Sequence, residues 1–504
     1  MTAPIANLVT PKPAGKICGG LLLAVAMLAG MTALTTQSFW MDEASTATIA
    51  KQPTLAAWWH YMSTKDGSDT QMPLYMIYAW CWAKLFGCSE LILRASNLPW
   101  LLLGLLAWPR REAGFILTLA VSPFLWYYMD EARPYVMQIS ASLMLGGALA
   151  RLFAAQATVS PGAKTIERIW FAVFCGGLVI LSGSSLLGML WSAAAVAALV
   201  LVLGVRWVAR RTRESWLTGG LTALVLGGLA VYYVWTLRHG NAASPGTTGV
   251  GNVFFIIYEL CGFAGLGPGR AEIHGGRLAA FHGVYLLPLA LYALVLAAVL
   301  FTGLRAAVRA VPLSTWVGLI LPLGGMAGFL VFAGLIRHFS VLGRHFAPMG
   351  AAFLLLLGWC VQTLLAQEGW RRRLAVGLLL VNLASAGSLR WCERHEKDDY
   401  RAAARFIIAA HARGERIWWC ADGTAGNYYG VPLSPPLSDR AAPGKVWLIA
   451  NPLPEWLTNN PVPTLVLLSK PELHDRSGKV QDYLKQHEFQ CQKTFSVFTV
   501  WTRP

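Results

Sequence analysis

Apolar runs of about 18 residues or more recur between residues 17 and 390, and that is the length an α-helix needs to cross a bilayer. Only 13% of the 504 residues are charged and the mean hydropathy is +0.50, against roughly twice that charged share in soluble domains. The fold class that follows is an α-helical polytopic membrane protein. A formal charge of +16 then needs no nucleic acid to explain it, because Lys and Arg gather in the cytoplasmic loops of such proteins and report orientation. No internal repeat of the secondary-transporter kind is visible. The nine cysteines lack zinc-type spacing. Cys392, Cys420 and Cys491 lie in the polar tail, where at most one disulfide forms if that side is oxidising.

The basic residues orient the spans. MTAPIANLVTPKPAGK carries Lys12 and Lys16 ahead of a first span at about 17–36, which is too long for a signal-peptide core and lacks an A-x-A site, so it reads as an uncleaved helix. Asp42 and Glu43 then lie outside. PLYMIYAWCWAKLFG (73–87) either crosses the membrane or lies along it. It is only about fifteen residues long and rich in Trp and Tyr, which settle at interfaces, so the flat reading is preferred. Spans then fall at about 17–36, 91–108, 114–128, 135–151, 169–186, 191–208, 217–236, 281–303, 313–335, 347–366 and 373–390. This makes about eleven helices, with the N-terminus cytoplasmic and the C-terminus outside. The basic clusters PRR (109–111), Arg151/Lys164/Arg168, RWVARRTR (206–213), Arg305/Arg309 and RRR (371–373) all fall on one side. Outer loops are 38–90, 129–134, a short turn near 187–190, 238–280 and 336–346. Residues 1–390 form the membrane domain. After Arg390 the composition turns polar, and 391–504 reads as a small extracytoplasmic α/β domain. It has an amphipathic helix at about 398–412, β-like runs RIWWCA, KVWLIA, TLVLLSK and FSVFTVWT, and one helical stretch, GKVQDYLKQHE.

The tetrapeptide MDEA occurs twice, in SFWMDEASTATIA (38–50) and WYYMDEARPYVMQ (126–138), each just after an apolar run and, on this topology, on one face. The plain explanation is helix capping, with Asp42 as an N-cap, Pro134 in a helical first turn and an Asp130/Arg133 ion pair. Two carboxylate pairs at membrane depth also suit chemistry. The outer loops supply matching cations: GLGPGR ends in Arg270 within a Gly/Pro turn suited to wrapping an anion, and LIRHFSVLGRHFAPMG offers Arg337, His338, Arg344 and His345. Guanidinium forks fit phosphate oxygens. Acids that hold or deprotonate a hydroxyl, facing guanidiniums that stabilise a departing phosphate, suit a lipid-linked phosphate donor.

In order, the chain shows an acidic pair after the first helix, a P-L-Y aromatic helix ending WAKLFG, then SELILR, SPFLWYYMDEARPY and a late RHFAP. Over about residues 15–390 this resembles the membrane-embedded GT-C glycosyltransferases of the protein-mannosyltransferase and aminoarabinose-transferase (family 39-like) type. The resemblance implies a hexosyl- or pentosyltransferase of a cytoplasmic (inner) membrane. Such an enzyme moves a sugar from a polyprenyl-phosphate donor to a glycan, lipid or protein acceptor on the outer face, with inversion. By position, Asp42 matches the proposed catalytic base, with Glu43 beside it, and Asp130 and Glu131 match the second-loop acids. Arg133, Arg344, His345, Arg270, Arg337 and Tyr75 make up the implied donor-phosphate set. Where many relatives carry His-Pro-Pro or Glu-Lys-Pro, this chain has TQMPLY, so metal dependence stays open. Asp42, Asp130 and Glu131 offer the oxygen ligands that Mg²⁺ or Mn²⁺ take, while displacement of a lipid phosphate also proceeds without an ion. His60 stands in WWHYM as an interfacial residue or a substitute ligand. Trp418, Trp419, Tyr428 and Tyr429 read as core and turn residues or as a sugar-stacking surface. The alternatives are a transporter or flippase of lipid-linked sugar, which calls for charges in mid-span and repeated halves, and an inactive lipid-binding scaffold.

Overall fold

The computed structural model describes residues 16–64, 68–108, 112–156, 163–204, 207, 212–239, 247–310, 312–337, 339–434, 444–449 and 462–503. His338, the PRR triplet and most of RWVARRTR lie outside the described residues. The chain divides into two compact units: residues 1–35, 54–87 and 91–395 form the first, and residues 36–53, 88–90 and 396–504 the second.

The first unit is a helical bundle, and the protein is a polytopic membrane protein. Among the described residues, eight segments are long and apolar enough to cross a bilayer: Tyr135–Ala155, Lys164–Ser184, Leu186–Leu203, Arg213–His239, Gly283–Arg305, Leu313–Arg337, Gly343–Leu365 and Trp370–Trp391. The first of these is 67% buried, whereas Arg213–His239 and Leu313–Arg337 are 11% buried. Tyr135–Ala155 is therefore the packing centre, and the other two present Leu224, Val231, Ile320 and Phe332 outward, as lipid-facing helices do. The turn expected near 187–190 falls at Ser185, whose hydroxyl caps the next helix by accepting from the Gly188 N–H at 2.9 Å.

The remaining three expected spans differ. The first is a helix over Lys16–Ala33. The span expected at 91–108 is two helices, Glu90–Ala95 and Asn97–Leu106, meeting at Ser96. The span expected at 114–128 is also broken, into Ala113–Ala120 and Pro123–Met129. Proline has no N–H to continue the first helix and suits the start of the second, and Ser122 caps that start by accepting from Leu125 N–H at 3.2 Å.

The WAKLFG segment is a helix over Pro73–Phe86, 14 residues long. At 1.5 Å per residue it reaches roughly 21 Å, short of a hydrocarbon core of about 30 Å. It buries one stripe of Tyr75, Met76, Ala79 and Ala83 and leaves Leu85 and Phe86 exposed. Tyr78 and Trp82 donate to the carbonyls of Ser96 and Ile92 at 2.7 and 2.8 Å, which holds it beside the helix pair that follows. Thr35, ahead of this helix, is hydrogen-bonded to Asp130, behind it: the Thr35 N–H lies 2.6 Å and its hydroxyl 3.0 Å from the two carboxylate oxygens. An odd number of membrane crossings between them would part these residues by the bilayer thickness, so the chain crosses an even number of times.

The second unit is built on a five-stranded sheet in the order β2-β1-β3-β5-β4, with β1 Ile417–Cys420, β2 Trp447–Leu448, β3 Leu465–Ser469, β4 Gln490–Phe495 and β5 Phe498–Thr502. β1 runs parallel to β2 and β3, while β5 is antiparallel to β3 and β4. Trp418 and Trp419 are core residues. The last run, FSVFTVWT, is not one strand. Phe495 pairs with Phe498 across a two-residue turn at which Ser496 takes φ 50°, so a strand over QCQKTF was missed. Cys392, Cys420 and Cys491 are free thiols.

Arg94 is fully buried. Its guanidinium reaches the Thr35 carbonyl and hydroxyl at 3.1 Å each and stands 3.7 Å from Asp130. Removing one partner of a buried ion pair costs about 3–5 kcal/mol. Arg94→Met is expected to lower the thermal-unfolding midpoint in detergent by an amount equivalent to about 3 kcal/mol, with Arg94→Lys recovering part of it; an unchanged midpoint would contradict the pairing.

Candidate active site

In the first unit the second MDEA copy sits at a break between helices. Met129 ends one helix, Asp130 is its C-terminal cap, and the next helix begins at Tyr135. The Pro134 carbonyl accepts from Gln138 N–H at 2.9 Å, the first bond of that helix. The buried Asn97 side chain gathers the turn by donating to the carbonyls of Met129 and Glu131 at 3.1 and 2.8 Å. The three charged residues of this turn then face three ways. Asp130 binds Thr35 and Arg94, as above. Arg133, which the sequence paired with Asp130 or with donor phosphate, stands 2.7 Å from Asp69, both residues buried. Glu131, 2% exposed, meets Arg270 at 2.5 Å.

Around that last pair lies a group of charged and hydroxyl-bearing side chains. Arg270 donates from Nε to the Tyr127 hydroxyl at 2.7 Å and lies over the Tyr127 ring, 4.7 Å from its centroid. Tyr128 donates to Glu259 at 3.4 Å. Glu259 was not anticipated. The signal was present as a lone acid within the apolar run VFFIIYEL, and intramembrane or interfacial ionisable groups of that kind are usually functional. Burial is the main cause that raises its carboxyl from the ordinary 4.5 to about 7; Glu131 adds to the rise, and Arg270 and Arg344 oppose it. The Glu259 carboxylate occupies the space beside Gly343: a Cβ built there would lie 1.7 Å from Oε2. Glycine at 343 is thus required for the loop carrying Arg344 to close on Glu259.

The GLGPGR stretch is packed rather than a flexible anion wrap. Gly265, Gly267, Pro268 and Gly269 are buried, and a Cβ on Gly269 would lie 1.7 Å from the Arg394 carbonyl. Gly269 N–H donates to Glu272 at 2.6 Å, which fixes the start of the helix Arg270–Gly276. Arg270 is therefore aimed by a rigid support. Among the other expected donor contacts, Arg344 is half-buried in the turn Gly343–Phe346 beside Glu259. His345 has a structural use, its Nδ1 accepting from Leu342 N–H at 3.2 Å and its carbonyl from Trp191 at 3.0 Å. Arg337 is exposed at a helix end, and Tyr75 is buried in the helix Pro73–Phe86. His60 is exposed on the helix Leu55–Thr64.

The first MDEA copy belongs to the second unit. Asp42 is not the N-cap: the helix runs Met41–Ala50 with Trp40 at the cap position. Asp42 is half-buried at the second helical position, where the N-terminal dipole favours a carboxylate. Glu43, at the third position, is fully buried; it accepts from Trp40 N–H at 3.4 Å and from Lys397 Nζ at 3.1 Å.

Asp130 and Glu131 each face a guanidinium, and among the described residues no three His, Cys, Asp or Glu side chains converge as a metal site requires. The donor set of the second doublet, committed to guanidinium and Thr35 partners, does not fit a resident divalent ion.

The fold has known counterparts. ArnT from Cupriavidus metallidurans in the apo state aligns over 96% of this chain and 97% of its own, with a TM-score of 0.50 at 14% identity. The same protein bound to undecaprenyl phosphate gives 0.50 at 15% identity over the same shares. The chain shares the fold of ArnT. The arabinofuranosyltransferase AftD from Mycobacteria aligns over 97% of this chain but 40% of its own, with a TM-score of 0.37 at 14% identity. No family model matches the sequence, and no curated protein matches it significantly.

A carboxyl with a folded value above its ordinary one stabilises the fold fully below that ordinary value, and the contribution is lost as the pH rises through the folded value. Glu259 therefore gives stability that is complete below about pH 4.5 and lost through about pH 7. Glu259→Gln is expected to flatten the unfolding midpoint across that window and to raise it above pH 7 relative to the parent; a parental pH profile would show that Glu259 does not hold its proton.

Proposed function

We propose that this protein is a membrane glycosyltransferase that takes a sugar from a polyprenyl-phosphate donor and passes it to a hydroxyl of a glycan, lipid or protein on the outer face of the cytoplasmic membrane, with inversion. The observation that carries this reading is the buried group around Arg270. Arg270 pairs with Glu131 there, Arg344 stands beside Glu259, and burial favours the neutral form of Glu259, which biases the group toward an anion such as a sugar phosphodiester. Tyr127 adds a hydroxyl beside the guanidinium. The GT-C fold, and the undecaprenyl phosphate held by ArnT in one of the two aligned structures, point the same way.

In the proposed step the acceptor oxygen bonds to the anomeric carbon as the bond from that carbon to the phosphate oxygen breaks. The electron pair leaves with the polyprenyl phosphate, whose gained negative charge Arg270 and Arg344 stabilise. The acceptor proton passes to the Asp42 carboxylate. The transfer comes late, when bond formation has already made the hydroxyl acidic. Asp130 and Arg133 act at one remove, by holding Thr35 and the 68–71 turn in place.

Purified protein incubated with polyprenyl-phosphate sugars is expected to consume donor, and Asp42→Asn to slow this by about 10²–10⁴-fold, the usual worth of a positioned acid–base group. Arg270→Met and Arg344→Met are expected to raise the donor KM. Asp42→Asn that consumes donor at the parental rate overturns the assignment.

A further inference from the structure

The helix that carries Asp42 is held by the C-terminal part of the chain. Glu43 is fully buried and its ion-pair partner, Lys397, is nearly so, with side chains 0% and 7% exposed and 3.1 Å between them. The Lys397 N–H also donates to Gln37 Oε1 at 3.1 Å. Arg401 donates from its backbone N–H to the Ser38 hydroxyl at 3.0 Å and from Nη2 to the Thr36 carbonyl at 2.9 Å. The Tyr429 hydroxyl accepts from Phe39 N–H at 2.7 Å and donates to Glu90 at 2.9 Å, which Arg401 also approaches at 3.3 Å. Tyr428 donates to the Cys88 carbonyl at 2.8 Å and packs its ring against Phe39, centroids 5.4 Å apart. Residues 36–43 and 88–90 are thus stitched to residues 397–401 and 428–429, and the two tyrosines that could have offered a sugar-stacking surface are spent on this seam.

The chemistry of the seam is specific. Glu43 follows Asp42 directly, so whatever fixes the Glu43 carboxylate fixes the first turn of the helix and the direction in which Asp42 leaves it. A buried carboxylate stripped of its cation must protonate or find water, and either outcome moves that turn. We propose that Lys397 and Tyr429 are positioning residues for Asp42, so that the C-terminal domain sets the geometry of proton acceptance without touching substrate. This rests on the reading of Asp42 as the proton acceptor.

The test uses the full-length protein, with Lys397→Met, Tyr429→Phe and Lys397→Arg beside Asp42→Asn. Lys397→Met is expected to lower kcat for donor consumption at least about tenfold with the donor KM within about twofold, and to speed amide hydrogen exchange across residues 39–46. Tyr429→Phe, a milder change that leaves the core volume intact, is expected to do the same to a smaller degree. Lys397→Arg, which restores the charge, is expected to recover a substantial part of kcat. Parental kcat in both Lys397→Met and Tyr429→Phe, in a protein that Asp42→Asn inactivates, overturns the proposal alone. So does unchanged exchange across residues 39–46. Parental activity in Asp42→Asn overturns the functional reading and this proposal with it.

Discussion

A carboxylate drawn into an apolar bundle must be neutralised, and the way this chain meets that requirement organises the first unit. Asp130 is held by Arg94 and by both polar groups of Thr35, Asp69 by Arg133, and Glu131 by Arg270. Each pair joins segments far apart in sequence, so the charges act as rivets between helix ends. Their net contribution to stability over an apolar substitute is small or negative in general. Each pair forms only when the right two segments meet.

The same requirement divides the acids by role. A carboxylate already paired with a guanidinium is a poor base, since the positive partner favours its charged form. Glu131 and Asp130 each stand against a guanidinium, whereas burial is the main influence on Glu259. Burial favours the neutral form of Glu259, which lessens its opposition to the charges of Arg270 and Arg344. Gly343 is what lets this acid approach the arginine loop so closely.

Much of this was legible in the sequence because hydropathy and arginine distribution are properties of whole segments. The spans emerged from apolar runs, and asking which topology collects the basic clusters led to the expectation of an even number of crossings between residues 35 and 130. The joined Thr35 and Asp130 agree with that parity. Local chemistry was less transparent. Pro123 splits an apolar run that hydropathy reads as continuous, and the helix expected to be capped by Asp42 is capped two residues earlier, by Trp40 in an extended conformation. Pairing was the least legible of all. Arg133 lies beside Asp130 in sequence yet meets Asp69, and the cation for Glu43 comes from position 397. Such choices depend on which helix ends become neighbours, and no window of sequence contains that information.

The interleaving of the two units along the chain carries a consequence for biosynthesis. Residues 36–53 and 88–90 leave the ribosome early, but the partners that complete their unit begin at residue 396, about 300 residues later. At roughly 5–20 residues per second, that interval is on the order of 15–60 s. Throughout it Lys397, the partner that Glu43 meets in the folded unit, has yet to be made, while the candidate spans among the described residues are threaded behind this acidic turn.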